Sequence, residues 1–120
     1  TAAGAHPIVA QDIPRTQLRW RRILEQVNSD DEQKWRLAIM EADIMLNDLL
    51  DVLGYKGETM TDKLKRVTIE AWNTIDFAWE AHKIRNRVVH DGALYKLDAR
   101  EASRVIKMYE RVFKEFKYIE

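Results

Sequence analysis

The segment that decides the fold of this chain runs from Asn73 to Gly92 and reads NTIDFAWEAHKIRNRVVHDG. Asn73 and Thr74 are residue types that begin helices, and Gly92 is typical of the position just after a helix ends. Apolar residues recur on one side at the spacing of a buried helical stripe: Phe77, Ala81, Ile84 and Val88. The sequence therefore predicts a long amphipathic helix that ends at His90 and packs into a core.

A second face of this helix mixes polar and apolar side chains. Its polar members are His82, Arg85, Asn86 and His90, and the apolar residues between them are Trp72, Ile75, Ala78, Trp79 and Val89. Such a face suits a partner interface or a half-buried ligand cleft. The alternative is that it packs against another helix of the same domain, with Arg85 paired to a carboxylate and His90 bound to carbonyls at the helix end. Arg87 falls on a separate charged face, so a functional role is predicted for Arg85 and not for Arg87.

Two long helices are predicted before this segment. Pro14 is placed to open the first, whose apolar stripe consists of Trp20, Ile23, Leu24 and Val27. Ser29, followed three residues later by Glu32, matches a capping box and predicts the start of the second helix, which Gly54 ends. Residues 1–13 show no sustained period, and they are predicted to be a flexible N-terminal arm or a cloning remnant.

A short helix and a final long helix complete the predicted bundle. Either Thr59 or Thr61 can cap the short helix. Asp98, with Glu101 three residues later, marks the start of the last helix. No segment alternates between apolar and polar residues with period two, so no strand is predicted. The sequence predicts an all-α, up-and-down bundle of four long helices plus one short helix over residues 14–120.

The amino-acid composition limits which classes of function are possible for this chain. The 120 residues include 20 basic and 20 acidic side chains, and since the net charge is zero, any binding to nucleic acid depends on local patches. There is no cysteine, which excludes disulfides and thiolate sites. No apolar run approaches the roughly 18 to 20 residues of a membrane helix, so we predict no membrane contact by this segment and a cytoplasmic location. The chain begins at Thr1 without Met, and we expect a piece of a longer protein whose upstream part could carry a signal or an anchor.

Arg85, Asn86 and His90 together have the chemistry of an RNA-cleaving site. Arg85 offers a planar, permanently charged fork for phosphate oxygens. His90 can take and give a proton near neutral pH, at a helix end whose carbonyl dipoles favour a cation. Asn86 can orient the imidazole or a substrate hydroxyl. These groups are sufficient, without a metal, for attack of an RNA 2′-hydroxyl on the adjacent phosphate.

An Arg followed by a polar residue, and then by His after a short gap at the end of a helix in a small all-α bundle, resembles the motif of the HEPN domain family. The resemblance covers the chain from about Thr16 to Phe116 and rests on Arg85, Asn86 and His90, on Ala81-His82-Lys83-Ile84 before them and on Asp91-Gly92 behind them. It implies a HEPN-like fold and a metal-independent endoribonuclease in which two copies of the chain form one cleft, with Arg85, Asn86 and His90 catalytic.

The resemblance also implies partners. RNA, a second copy of the chain, and an antitoxin or other protein partner are expected, because many HEPN proteins belong to toxin, antiviral or RNA-processing systems. In the subgroup paired with a nucleotidyltransferase antitoxin, a Tyr typically stands two residues after the motif His. This chain has Gly92 there, and Tyr95 is out of register.

Other readings of the same residues remain open. One alternative is a non-catalytic module that uses this face to bind RNA, a nucleotide or a partner chain, and another is a purely structural dimerisation domain. Candidates for an interface or a substrate cleft are Trp79, His82, Val89 and Ile75, although His82 is also typical of a packed side chain. The three histidines lack the i, i+4 spacing with a nearby carboxylate of a helical zinc site, so no metal and no cofactor are predicted.

Overall fold

The computed structural model describes residues 14–120, which form five α-helices. These are α1 (Arg15–Val27), α2 (Glu32–Val52), α3 (Met60–Lys65), α4 (Ile75–Asp91) and α5 (Ala99–Glu115), and a 3₁₀ turn (Gly92–Leu94) follows α4. This part of the chain contains no strand. The predicted all-α bundle of four long helices and one short helix is confirmed. The arm predicted for residues 1–13 lies outside the described residues.

Side-chain caps open α2, α3 and α5, and one of them differs from the prediction. Asp31, not Ser29, caps α2, because its carboxylate accepts a hydrogen bond from the N–H of Gln33 at 2.9 Å. The hydroxyl of Ser29 instead accepts from the N–H of Asp31 at 3.2 Å. The predicted capping box was therefore wrong: the carboxylate lies next to the first turn and is a stronger acceptor than the hydroxyl. Thr59 is the residue that caps α3, and Asp98 caps α5 as predicted.

Helix α2 has the most neighbours in the bundle. It packs against α1, α4 and α5, and α4 also packs against α5. The largest fully buried side chains include Trp20, Ile39, Leu46, Leu50, Trp72, Tyr109 and Phe113. Trp20 meets Phe113 edge to face, with ring centroids 5.5 Å apart. None of the helices within residues 14–120 is long and apolar enough to span a membrane.

Helix α4 buries a broader arc than one stripe. Ile75, Ala78 and His82, all from the mixed face, are buried. Phe77 of the predicted core stripe is 37% exposed and lies 5.4 Å from the guanidinium of Arg111. The prediction that Phe77 faces the core was wrong, because α4 is flanked by both α2 and α5 and its buried arc extends into the mixed face.

The segment after α4 is held by Arg36 of α2. Its guanidinium donates to the carbonyl of Gly92 at 3.0 Å and to the carbonyl of Tyr95 at 2.6 Å. Gly92 has a φ of +54°, in the left-handed region that glycine adopts without strain. Arg36, rather than His90, thus binds the carbonyls at this end of the helix, and no bond from the His90 ring to a carbonyl occurs within residues 14–120.

Candidate functional site

The carboxylate of Asp43 joins three helices beneath the mixed face. Asp43 lies on α2 and is only 3% exposed. Its Oδ2 lies 3.0 Å from Nδ1 of His82 on α4, and its Oδ1 accepts the hydroxyl of Tyr109 on α5 at 2.8 Å. A buried carboxylate is costly unless charged or polar partners surround it, and these two side chains meet that requirement.

Tyr109 is fixed as the neutral phenol. It is fully buried, and its hydroxyl also lies 3.3 Å from the carbonyl oxygen of Ala81. Burial, and then the negative charge of Asp43, raise the pKa of Tyr109 well above its ordinary value. The phenol is therefore a permanent donor to the carboxylate at neutral pH.

His82 presents its second ring nitrogen away from Asp43. Because a carboxylate only accepts, the hydrogen-bonded Nδ1 carries the proton. In the neutral imidazole Nε2 is then an acceptor, and it lies 3.3 Å from Oγ1 of Thr61 and 3.5 Å from Nδ2 of Asn86. The ring is thus held from both sides, by α2 and by the start of α3.

Arg85 continues this network toward solvent. Its Nε lies 3.4 Å from Oδ2 of Asp43, too far for a good hydrogen bond, and this buried N–H has no partner that satisfies it. Its Nη1 donates to Oδ1 of Asn86 at 3.1 Å. With its side chain 30% exposed, the guanidinium has both a fixed position and an open face for an anion.

These side chains border a cavity of about 330 Å³ between α2, α3 and α4. The lining consists of Asp43, Ile44, Asn47, Thr59, Met60, Thr61, His82, Arg85 and Asn86. The volume lies at the small end of the range of ligand pockets. Besides the Asp43 carboxylate and the His82 imidazole, the lining has one cation, two amides, two hydroxyls and two apolar side chains, a mixture that suits a small polar ligand with a flat or apolar part.

The structure brings together only part of the predicted catalytic set. Arg85 and Asn86 line the cavity, whereas His90 is exposed near the end of α4 and does not line it. The histidine that does line the cavity is His82. Arg87 points to solvent with a 64% exposed side chain, as helical phase predicts.

The predicted interface residues occupy three different environments. Val89 is 42% exposed beside His90 on the outer side of α4. Trp79 is half-buried and packs against the core, and Ile75 is buried within it. Of these, Val89 is the most exposed in the single chain.

The site residues that the sequence analysis does not predict include Asp43, Asn47, Thr61 and Tyr109. A signal existed for Asp43, which falls on the buried stripe of α2 between Ile39 and Leu46, where a carboxylate is out of place unless it has partners. Tyr109 lies among the buried apolar residues of α5, and nothing in its spacing indicates a polar contact. The approach of Asn47 and Thr61 to α4 depends on tertiary packing alone.

Within residues 14–120, no group of three or more His, Asp or Glu side chains is arranged to hold a metal ion. His6, one of the three histidines considered above as possible zinc ligands, lies outside these residues. A scan against protein-family models and searches of curated proteins and of solved structures found no match to this chain.

Proposed function

We propose that this domain is a HEPN-like, metal-independent endoribonuclease that works as a homodimer. The observation that carries the proposal is the state of Arg85: the guanidinium is oriented by Asp43 and Asn86 and keeps an exposed face at a cavity rim. A pre-oriented, half-exposed arginine is suited to hold a phosphate group of RNA. Cytoplasmic location, a role in RNA processing or defence, and an antitoxin partner stay predictions.

The proposed reaction needs proton transfer as well as a phosphate clamp. The RNA 2′-oxygen attacks the adjacent phosphorus, the bond from phosphorus to the 5′-oxygen breaks, and a 2′,3′-cyclic phosphate and a 5′-hydroxyl form. One group takes the proton of the 2′-hydroxyl, and another supplies a proton to the 5′-oxygen. His90 is exposed in the last turn of α4, where substrate can reach it, and the second copy of the chain would supply the second histidine.

An exposed apolar surface supports the homodimer in this proposal. Leu37, Met40 and Ile44 of α2 are exposed at spacings of three and four residues, so they form one stripe. Because Asp43 contacts His82 while Arg36 reaches Gly92, α2 and α4 run antiparallel, which places this stripe level with the C-terminal half of α4. A second copy seated there would cover the stripe together with Val89 and bring two His90 side chains to one cleft.

The test is cleavage of structured and unstructured RNA in EDTA, with product ends identified by mass spectrometry. The wild-type chain is expected to give 2′,3′-cyclic phosphate ends. His90→Ala is expected to reduce the rate by about 100-fold or more, the typical contribution of a proton-transfer group. Arg85→Ala is expected to lose activity similarly, because the phosphate clamp is removed.

Arg87→Ala is the matched control for Arg85→Ala. It removes the same charge from the same helix at a solvent-facing position, so cleavage should stay within about twofold of wild type, as for other surface substitutions. The proposal fails if no RNA is cleaved in EDTA, or if His90→Ala cleaves as fast as wild type.

A non-catalytic binding module is the second candidate. The observation that favours it is that the cavity contains Arg85 and Asn86 without His90, so that a ligand could bind there with no proton-transfer role for His90. RNA binding that weakens with salt and with Arg85→Ala, but without turnover, would support this reading.

A further inference from the structure

The cavity beside Arg85 contains polar groups that the proposed reaction does not use. Asn47 of α2, Thr59 at the cap of α3 and Thr61 in its first turn all line it. We infer that this cavity binds the pyrimidine base of the nucleotide whose phosphate Arg85 holds. The inference rests on the proposed function for the identity of the ligand as RNA, and it adds a base preference to it.

Asn47 supplies a donor. Its Oδ1 accepts from Nζ of Lys63 at 2.9 Å, and Lys63 is also fixed by Asp51 at 2.7 Å. The amide oxygen is therefore occupied and the amide is oriented. No group within residues 14–120 accepts a hydrogen bond from Nδ2 of Asn47, so its N–H groups are free for a ligand.

The two threonines differ in what they offer. Oγ1 of Thr59 accepts from the N–H of Asp62 at 3.1 Å, so its own hydrogen is free to be donated. Oγ1 of Thr61 lies 3.3 Å from Nε2 of His82, which is the acceptor of the neutral imidazole whose Nδ1 proton points to Asp43. The hydrogen of Thr61 is thus directed to the imidazole, and its lone pairs are left to accept. Asn47 and Thr59 therefore offer two donors, and Thr61 offers one acceptor.

This set is complementary to a pyrimidine base. The pairing edge of uracil has two carbonyl acceptors around one N–H donor, and that of cytosine has two acceptors and one amino donor. The pairing edge of guanine has one acceptor and two donors, which is the opposite balance. Ile44 and Met60 add apolar contact for a flat ring, and the cavity of about 330 Å³ is large enough to hold a base.

The test is binding of the four free nucleosides, which have no phosphate, followed by titration of amide signals in ¹⁵N NMR. Uridine and cytidine are each expected to bind at least about fivefold more tightly than guanosine, the effect of one unsatisfied polar group. The largest shifts should occur at the amides of Asn47 and Thr61 and at neighbouring amides of the cavity. Equal binding of guanosine and the pyrimidine nucleosides, or binding of none of the four, overturns the inference.

Asn47→Asp is the diagnostic variant. It preserves an oxygen for Lys63 and replaces the free N–H donors by an acceptor, so pyrimidine affinity should fall by at least about fivefold while guanosine affinity does not fall. Gln33→Glu is the control, because it makes the same change of amide to carboxylate at an exposed position in the first turn of α2. If Asn47→Asp does not fold, Thr61→Val is tested in its place, because it removes the acceptor and keeps a similar shape.

The outcomes separate this inference from the proposed function. A folded Asn47→Asp protein that binds uridine and cytidine as wild type does overturns the base-binding cavity. RNA cleavage without pyrimidine preference also overturns it and leaves the proposed nuclease intact. Pyrimidine binding at the cavity with no cleavage of any RNA supports the inference and removes the nuclease.

Discussion

Nδ1 of His82 lies 3.0 Å from Oδ2 of Asp43, so a buried histidine of α4 is bonded to a buried carboxylate of α2. The same carboxylate accepts the hydroxyl of Tyr109 from α5, and the guanidinium of Arg85 lies next to it. The candidate site is therefore built on a polar junction inside an otherwise apolar core. Its stability and its chemistry are expected to respond together to changes at this junction.

Asp43→Asn should destabilise the domain by about 3 to 5 kcal/mol, the range for breaking a buried ion pair, because the charge that is bonded to His82 and Tyr109 and lies beside Arg85 is lost. The control is Asp48→Asn on the same helix. Asp48 pairs with Arg19 at 2.9 Å, but both side chains are more than a third exposed, so the expected cost is below about 1 kcal/mol. Urea denaturation of both variants measures the difference. Equal losses of unfolding free energy in the two variants would show that the polar junction at Asp43 does not stabilise the domain as proposed.

Tyr109→Phe should lower the free energy of unfolding by about 1 to 3 kcal/mol at neutral pH, since a buried carboxylate loses a donor. The variant should also alter the response to alkali. The pKa of Tyr109 is raised by burial in the folded chain, so above pH of about 10 the unfolded chain binds fewer protons than the folded chain, and stability falls with rising pH.

In wild type this phenol contributes a loss of up to about 1.4 kcal/mol per pH unit above its unfolded pKa. Tyr109→Phe should show a shallower loss in denaturation curves measured from neutral pH to pH of about 11. Part of the loss persists in the variant, because burial also raises the pKa of Tyr95 and of Tyr118. An unchanged slope would contradict the assignment of a neutral, buried phenol.

Glu115→Ala should destabilise the start of α4 by about 0.5 to 2 kcal/mol, the usual cost of losing a helix cap. Thr74, the residue at the cap position, makes no side-chain cap of its own. The carboxylate of Glu115 on α5 instead accepts the N–H groups of Asn73 and Thr74 at 2.8 and 2.9 Å. Glu110→Ala on the same helix removes only a loose pair to Lys114, at 3.9 Å, and thermal melts should place it within about 0.5 kcal/mol of wild type.

Arg36→Lys should loosen the turn after α4 although it keeps the charge. Arg36 binds the carbonyls of both Gly92 and Tyr95, and a lysine lacks the fork needed to hold two acceptors. We expect a loss of about 1 to 3 kcal/mol and faster hydrogen exchange confined to the end of α4 and the 3₁₀ turn. Arg21→Lys, at an exposed position of α1, should change neither quantity. Unchanged hydrogen exchange in Arg36→Lys would show that Arg36 does not hold this turn.

The sequence by itself determined the helices of this protein. Apolar residues at helical spacing, Gly54 and Gly92 as stops, and Asp98 as a cap fixed four long helices and one short helix, because these signals act within a few residues along the chain. Helical phase also separated half-buried Arg85 from exposed Arg87. These features require no knowledge of what lies across the bundle.

The tertiary structure alone decided the partners of those helices. The buried arc of α4 includes His82 and leaves Phe77 partly exposed, because α4 meets both α2 and α5. Asp43 and Tyr109 are 66 residues apart, and only packing brings their side chains together. Local propensity determines where helices form, but a hydrogen bond between distant residues depends on the relative placement of whole helices, which no short-range pattern encodes.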